Sequence, residues 1–177
     1  MVAKYCNLLS TSVAGVVAYE DRVALAYLRS RHDVVSGGIG CIGLSGGGCR
    51  AALLQATSED ISVAVIVCMM STYRHLLDAH VAPHTWMLFP PGLAGLADWP
   101  DLAACRAPSP LVVQYTRDDQ LFPLAGMMAA HERIAQTYAA AGAPAAYVGQ
   151  FFDGAHCFDQ AMQAAAFAQL ARWLARP

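Results

Sequence analysis

The chain carries little charge and nowhere concentrates it. Charged residues make up 14% of its 177 positions, the formal net charge is −2, and the 11 Lys and Arg residues are dispersed. That excludes the basic footprint of a nucleic-acid or anionic-membrane binder. No apolar run approaches the roughly 20 residues that cross a bilayer; the longest, Val63 to Met70, has the length of a buried strand. A signal-peptide pattern is also lacking, because Ser10, Thr11, Ser12 and Gly15 interrupt the early apolar stretch after Lys4 and no cleavage-site pattern follows. There is no C-x-x-C pair. Six irregularly spaced cysteines, with Cys41 and Cys68 inside apolar runs, read as buried free thiols, which fits a reducing cytoplasm. His75, His80 and His84 come without a ligand motif, so surface or pocket-lining roles are expected for them and no metal or other cofactor.

What the chain does have is apolar material, 56% of its residues, enough for the core of one domain. Short β-rich runs alternate with longer helical ones, the pattern of an α/β fold with a mostly parallel sheet. A helix is expected from about Tyr19 to Arg31, with Tyr19, Val23, Ala26 and Tyr27 on one face. Gly37-Gly38 breaks the chain before a strand over Ile39 to Leu44, and Gly46-Gly47-Gly48 opens a helix to about Gln55. Ile61 to Cys68 is β-branched and apolar on both faces, as a strand covered on both sides should be. Residues 71–109 form a proline-punctuated crossover with short helices near Tyr73–Ala79 and Leu93–Ala104. Strands are then expected at Leu111–Tyr115 and Ala146–Phe151. Between them lies a helix with Met127, Ala130, Ile134 and Tyr138 in one stripe, and after them a helix over Asp159–Leu174 burying Met162, Ala166, Leu170 and Trp173.

One constellation carries chemistry. Gly43-Leu-Ser45-Gly-Gly47 matches G-x-S-x-G between a strand and a helix, the context in which a serine is held on a sharp turn as a nucleophile. The flanking glycines are expected to avoid clashes with neighbouring backbone, and the N–H of Gly46 is positioned to receive an oxyanion. Asp119 follows the third strand and His156 the fourth, giving the order Ser…Asp…His, with all three at the carboxyl ends of strands. His156 is the expected base and Asp119 the expected acid; Asp118, its neighbour, and Asp153, three residues before His156, are alternatives. A G-x-G-x-x-G reading of Gly38 to Gly43 would place glycines inside the strand rather than after it. Met70, His84, Trp86 and Phe89 are candidates for the substrate pocket.

Tyr19–Leu28, Ile39–Gly48, Asp119–Pro123 and Gly154–Phe158 together resemble the dienelactone hydrolase and acetyl xylan esterase-like branch of the α/β-hydrolase superfamily. The resemblance covers most of the chain from about Tyr19 onward. It implies hydrolysis of a carboxylic ester through an acyl-enzyme on Ser45, without metal. Amide or thioester hydrolysis on the same triad and a non-catalytic assembly module are the alternatives. The chain departs from this family ahead of Ile39, where about 38 residues stand in place of several strands and no HGGG-like segment offers a second oxyanion donor. A truncated α/β-hydrolase sheet is therefore expected, with Ile39–Leu44 as an exposed edge covered by the Met1–Ala18 segment or by a partner's strand in a homodimer or higher homo-oligomer.

Overall fold

The computed structural model describes residues 2–35 and 38–175; Gly37 lies outside the described residues. Two helices, α1 (Val2–Leu8) and α2 (Val13–Ser30), precede the first strand. There follow β1 (Ile39–Leu44), α3 (Gly46–Thr57), β2 (Ile61–Val67), α4 (Tyr73–Leu76), α5 (Trp99–Ala104), β3 (Leu111–Thr116), α6 (Leu124–Ala140), β4 (Tyr147–Phe152) and α7 (Gln160–Leu174). The four strands lie in the order β1-β2-β3-β4, every adjacent pair parallel. Each expected strand is present, with ends moved by one residue at most.

The sheet separates two apolar clusters. Alternate side chains of a strand point to opposite faces. Ala64, Ile66 and Val113 accordingly pack with Ala52, Trp99, Ala130, Ile134 and Tyr138 of α3, α5 and α6. Val65, Val67 and Val112 pack on the other face with Met162 and Ala166 of α7. Because both faces are covered, β2 shows no polar alternation; Ser62 is its one half-exposed position. Leu170 and Trp173 are half-buried and pack at the margins of these clusters.

The front of the chain departs from expectation. α2 begins at Val13, where Ser12 caps it by accepting from the Gly15 N–H at 3.0 Å. The stripe Tyr19, Val23 and Tyr27 faces outward, these residues being 70, 50 and 61% exposed. Ala14 and Leu25 are buried instead, with Val13 and Val17 packed against the larger cluster. Helical spacing identifies a face of α2 without saying which face meets the core. The six cysteines are free, and Cys105 is exposed rather than buried. Among the described residues no helix is long and apolar enough to cross a membrane.

Candidate active site

The turn from β1 into α3 is held by backbone. Ser45 donates its N–H to the Val67 carbonyl at 2.8 Å, tying the turn to the end of β2, and its own carbonyl accepts from Cys49 N–H at 2.9 Å as α3 begins. Between these bonds Ser45 adopts φ 54°, ψ −116°, a region that costs a non-glycine residue about 1–3 kcal/mol. Its hydroxyl makes no capping hydrogen bond to α3. A Cβ at Gly43 would lie 2.0 Å from the Gly47 carbonyl oxygen, so no side chain fits there. The second constrained glycine is Gly48, whose Cβ would fall 3.0 Å from the Gly43 and Val67 oxygens, rather than Gly47, which has open space around it. Gly46 is the first residue of α3, and first-turn N–H groups have no partner within their helix and sit at the positive end of its dipole.

Asp119 and His156 are brought together. His156 Nδ1 lies 2.7 Å from Asp119 Oδ2, and the Asp119 side chain is wholly buried. The other carboxylate oxygen accepts from Leu121 N–H at 2.8 Å and Phe122 N–H at 3.3 Å. With the Thr116 hydroxyl, which donates to Oδ2 at 3.5 Å, four donors satisfy the buried charge. Asp118 points elsewhere, accepting from Gly154 N–H at 3.1 Å, and Asp153 pairs with Arg117 at the surface. Of the three candidate acids, Asp119 is the one bonded to His156. Ser45, Asp119 and His156 all follow the carboxyl ends of parallel strands, on one edge of the sheet.

A small crevice of about 20 Å³ opens at Ser45, lined by Gly46, Cys49, Met69, His84, Thr85, Leu88 and Phe122. Of the Met69-Met70-Ser71 segment expected to reach the pocket, Met69 lines the crevice and Met70 does not, and both methionines are buried. Phe122 was not foreseen, although it stands inside the Asp119–Pro123 segment that carried the resemblance. It lines the crevice while its ring lies 6.3 Å from that of His156. His84, Trp86 and Phe89 border an adjoining cavity. Burial holds His84 below the ordinary histidine range, so its ring is neutral near pH 7; its Nε2 lies 3.1 Å from the Leu121 carbonyl, to which it donates.

Among the described residues, one trio has ligand-type atoms within 4.8 Å of one another: Cys68, Asp119 and His156. An ion there would have to displace the His156–Asp119 hydrogen bond. Burial pushes the Cys68 thiol up to about 11, so it is protonated at neutral pH.

No protein-family profile matches the chain. It is 29% identical, over 75% of its own length, to a Bacillus subtilis (strain 168) protein named "Putative hydrolase YtaP", of which it spans 45%. Among solved structures it resembles a carbohydrate esterase family 15 glucuronoyl esterase from Caldicellulosiruptor kristjansonii, with TM-score 0.75 and 13% identity, over 94% of this chain and 51% of that one. It also resembles methylesterase BT1017, with TM-score 0.70 and 20% identity, over 90% of this chain and 35% of that one. The chain therefore spans about half or less of the length of these relatives. The likeness shows the fold: four parallel strands with helices on both faces, part of the α/β-hydrolase fold.

Proposed function

We propose that this chain is a serine-dependent carboxylic ester hydrolase acting on small acyl esters. The observation that supports the reading best is the 2.7 Å His156–Asp119 hydrogen bond on the sheet edge that also carries Ser45, whose φ is +54°. In the mechanism, Asp119 fixes His156 with its proton on Nδ1, leaving Nε2 free to take the Ser45 proton. Ser45 Oγ attacks the ester carbonyl, the C=O electrons move onto oxygen, and the Gly46 N–H at the α3 N-terminus receives the oxyanion. Collapse of the intermediate expels the alcohol, which takes the proton from His156 and leaves an acyl-Ser45. A water, deprotonated by His156, then attacks that ester; the acid departs and Ser45 recovers its proton. No cofactor enters these steps. The esterase names of several structural neighbours favour an ester over an amide or thioester.

The sheet also supports a homodimer. Among the described residues β1 has a strand partner on the β2 side alone, and an unpaired strand edge is a template for another strand. Nearby, α2 presents Tyr19, Val23 and Tyr27 to solvent.

Fluorophosphonate labelling with site mapping, alongside hydrolysis of p-nitrophenyl acetate, tests the catalytic reading. Ser45 should carry the label, and Ser45→Ala should lose both label and turnover. A folded protein that hydrolyses the ester equally well without the Ser45 hydroxyl refutes it.

A further inference from the structure

The Ser45 crevice is too small for a long acyl or alcohol chain. Its 20 Å³ holds about one water. Across His84 lies a cavity of about 310 Å³, lined by Val81, Ala82, His84, Trp86 and Phe89, at the small end of the range for ligand pockets. His84 borders both spaces. Among the described residues no charged side chain lines the larger one, and His84 is the one titratable group in its wall. Trp86 is 71% exposed and Val81 41% exposed, so two apolar side chains stand at its rim where none of the described residues covers them.

The wall beyond His84 is firmly built. Thr85 Oγ1 accepts from Met87 N–H at 3.3 Å, closing the short 3₁₀ turn that carries Trp86. The Leu88 carbonyl accepts both Tyr73 O–H and Trp99 Nε1–H at 2.9 Å, and Met87 and Leu88 are buried beneath. The His84 side chain is held by one hydrogen bond to a carbonyl and by ring contacts with Phe122 at 4.5 Å and Phe89 at 6.2 Å.

We propose that the Trp86 cavity receives an uncharged hydrocarbon arm of the ester, and that His84 is the partition that sets how long that arm can be. This rests on Ser45 being the nucleophile. Either arm of an ester can be a hydrocarbon chain, so two series distinguish the sources: p-nitrophenyl esters from acetate to octanoate vary the acyl arm, and acetates of ethanol to hexanol vary the alcohol arm.

The readout is kcat/KM for the longest member divided by that for the shortest, measured for wild type, His84→Ala, Trp86→Ala and the double variant. Removing the partition should raise this ratio about tenfold or more in one series and leave the other within about twofold, since each methylene admitted to an apolar site is worth at least that order in discrimination. Trp86→Ala in the His84→Ala background should remove most of the gain, because the enlarged site loses its outer wall. Trp86 is exposed, so the fold does not depend on it, and with His84 in place Trp86→Ala alone should leave the wild-type ratio within about twofold. Ser45-dependent hydrolysis with ratios unchanged by His84→Ala in both series overturns the proposal and leaves the esterase reading standing. Absence of Ser45-dependent hydrolysis throughout both series overturns the esterase reading and the proposal with it.

Discussion

Replacing Asp119 by asparagine is the sharpest perturbation of the dyad, because it changes one atom and leaves the packing alone. The amide that results can keep its carbonyl on the Leu121 and Phe122 N–H groups, which now hold Asp119 Oδ1 at 2.8 and 3.3 Å. The amide nitrogen then takes the position of Oδ2, 2.7 Å from His156 Nδ1. An amide N–H is a donor, so it pairs with an Nδ1 lone pair and puts the ring proton on Nε2, the nitrogen that must accept from Ser45. The wrong tautomer, together with the lost negative charge beside an imidazolium, should lower kcat by about 10⁴, or about 5.5 kcal/mol of transition-state stabilisation at about 1.4 kcal/mol per tenfold. Asp118→Asn is the matched control. Its acceptor oxygen can still receive Gly154 N–H, now at 3.1 Å from Asp118 Oδ2, and the change should cost less than about threefold. Initial rates on p-nitrophenyl acetate, with circular dichroism to verify folding, measure both. A loss below tenfold in Asp119→Asn, or a larger loss in Asp118→Asn, refutes the assignment of the acid.

Ser45→Gly should abolish hydrolysis and at the same time stabilise the fold. Relief of the positive φ against glycine's extra chain entropy leaves about 1 kcal/mol, or about 2–4 °C in Tm for a chain of this size; an unchanged or lower Tm in thermal unfolding would deny that the turn is strained. Burial lowers the proton affinity of His131, whose Nδ1 accepts Tyr147 O–H at 2.8 Å. The unfolded chain therefore binds its proton at higher pH, and stability should fall as pH drops through the ordinary histidine range near about 6.5; His131→Gln should flatten part of that fall in Tm between pH 7 and 5, and an identical fall would show that His131 is not its source. Sedimentation equilibrium at micromolar concentration should give twice 18.8 kDa, shifting toward monomer in Tyr19→Glu/Tyr27→Glu; a folded, active monomer in the unmutated chain ends the dimer proposal.

What the sequence disclosed depended on how local each signal was. β2 and β3 are covered on both faces, so their burial is written as mostly apolar runs rich in β-branched residues, readable without knowledge of what covers them. The G-x-S-x-G turn was equally legible, since its geometry lies within a few residues. Its second glycine was not: Gly47 is unconstrained and Gly48 is confined by the β2 carbonyl of Val67, a contact that no local motif records. On α2 the stripe Tyr19, Val23 and Tyr27 has the spacing of a buried face but points outward, and the buried Ala14 and Leu25 are too far apart to form a pattern. The pocket wall shows the same limit. Met69 and Met70 are chemically identical neighbours, and it is Met69, just past Cys68 at φ 48°, that lines the Ser45 crevice.

The two aspartates after β3 divide the work of placing the base, and the division follows from the sheet. β3 and β4 remain joined past their ends: Arg117 N–H donates to the Phe152 carbonyl at 2.9 Å and Asp118 N–H to the Gly154 carbonyl at 3.0 Å. Asp118 Oδ2 then accepts Gly154 N–H, closing a reciprocal pair with the segment that leads into His156. Past the end of β3 the chain turns at Arg117 and Asp118, with Asp119 N–H donating to the Thr116 carbonyl at 3.3 Å, and beyond that turn Asp119 reaches the ring while Asp118 faces the loop. The position of His156 relative to Asp119 is thus fixed largely by backbone hydrogen bonds that extend the ladder. The exposed Arg117–Asp153 pair at 3.3 Å, with side chains 47% and 94% accessible, adds little to that placement. Sequence changes at the surface of this loop should accordingly be tolerated, whereas a proline in place of Asp118, which would remove the N–H bonded to Gly154, should misplace the base without touching any residue of the triad.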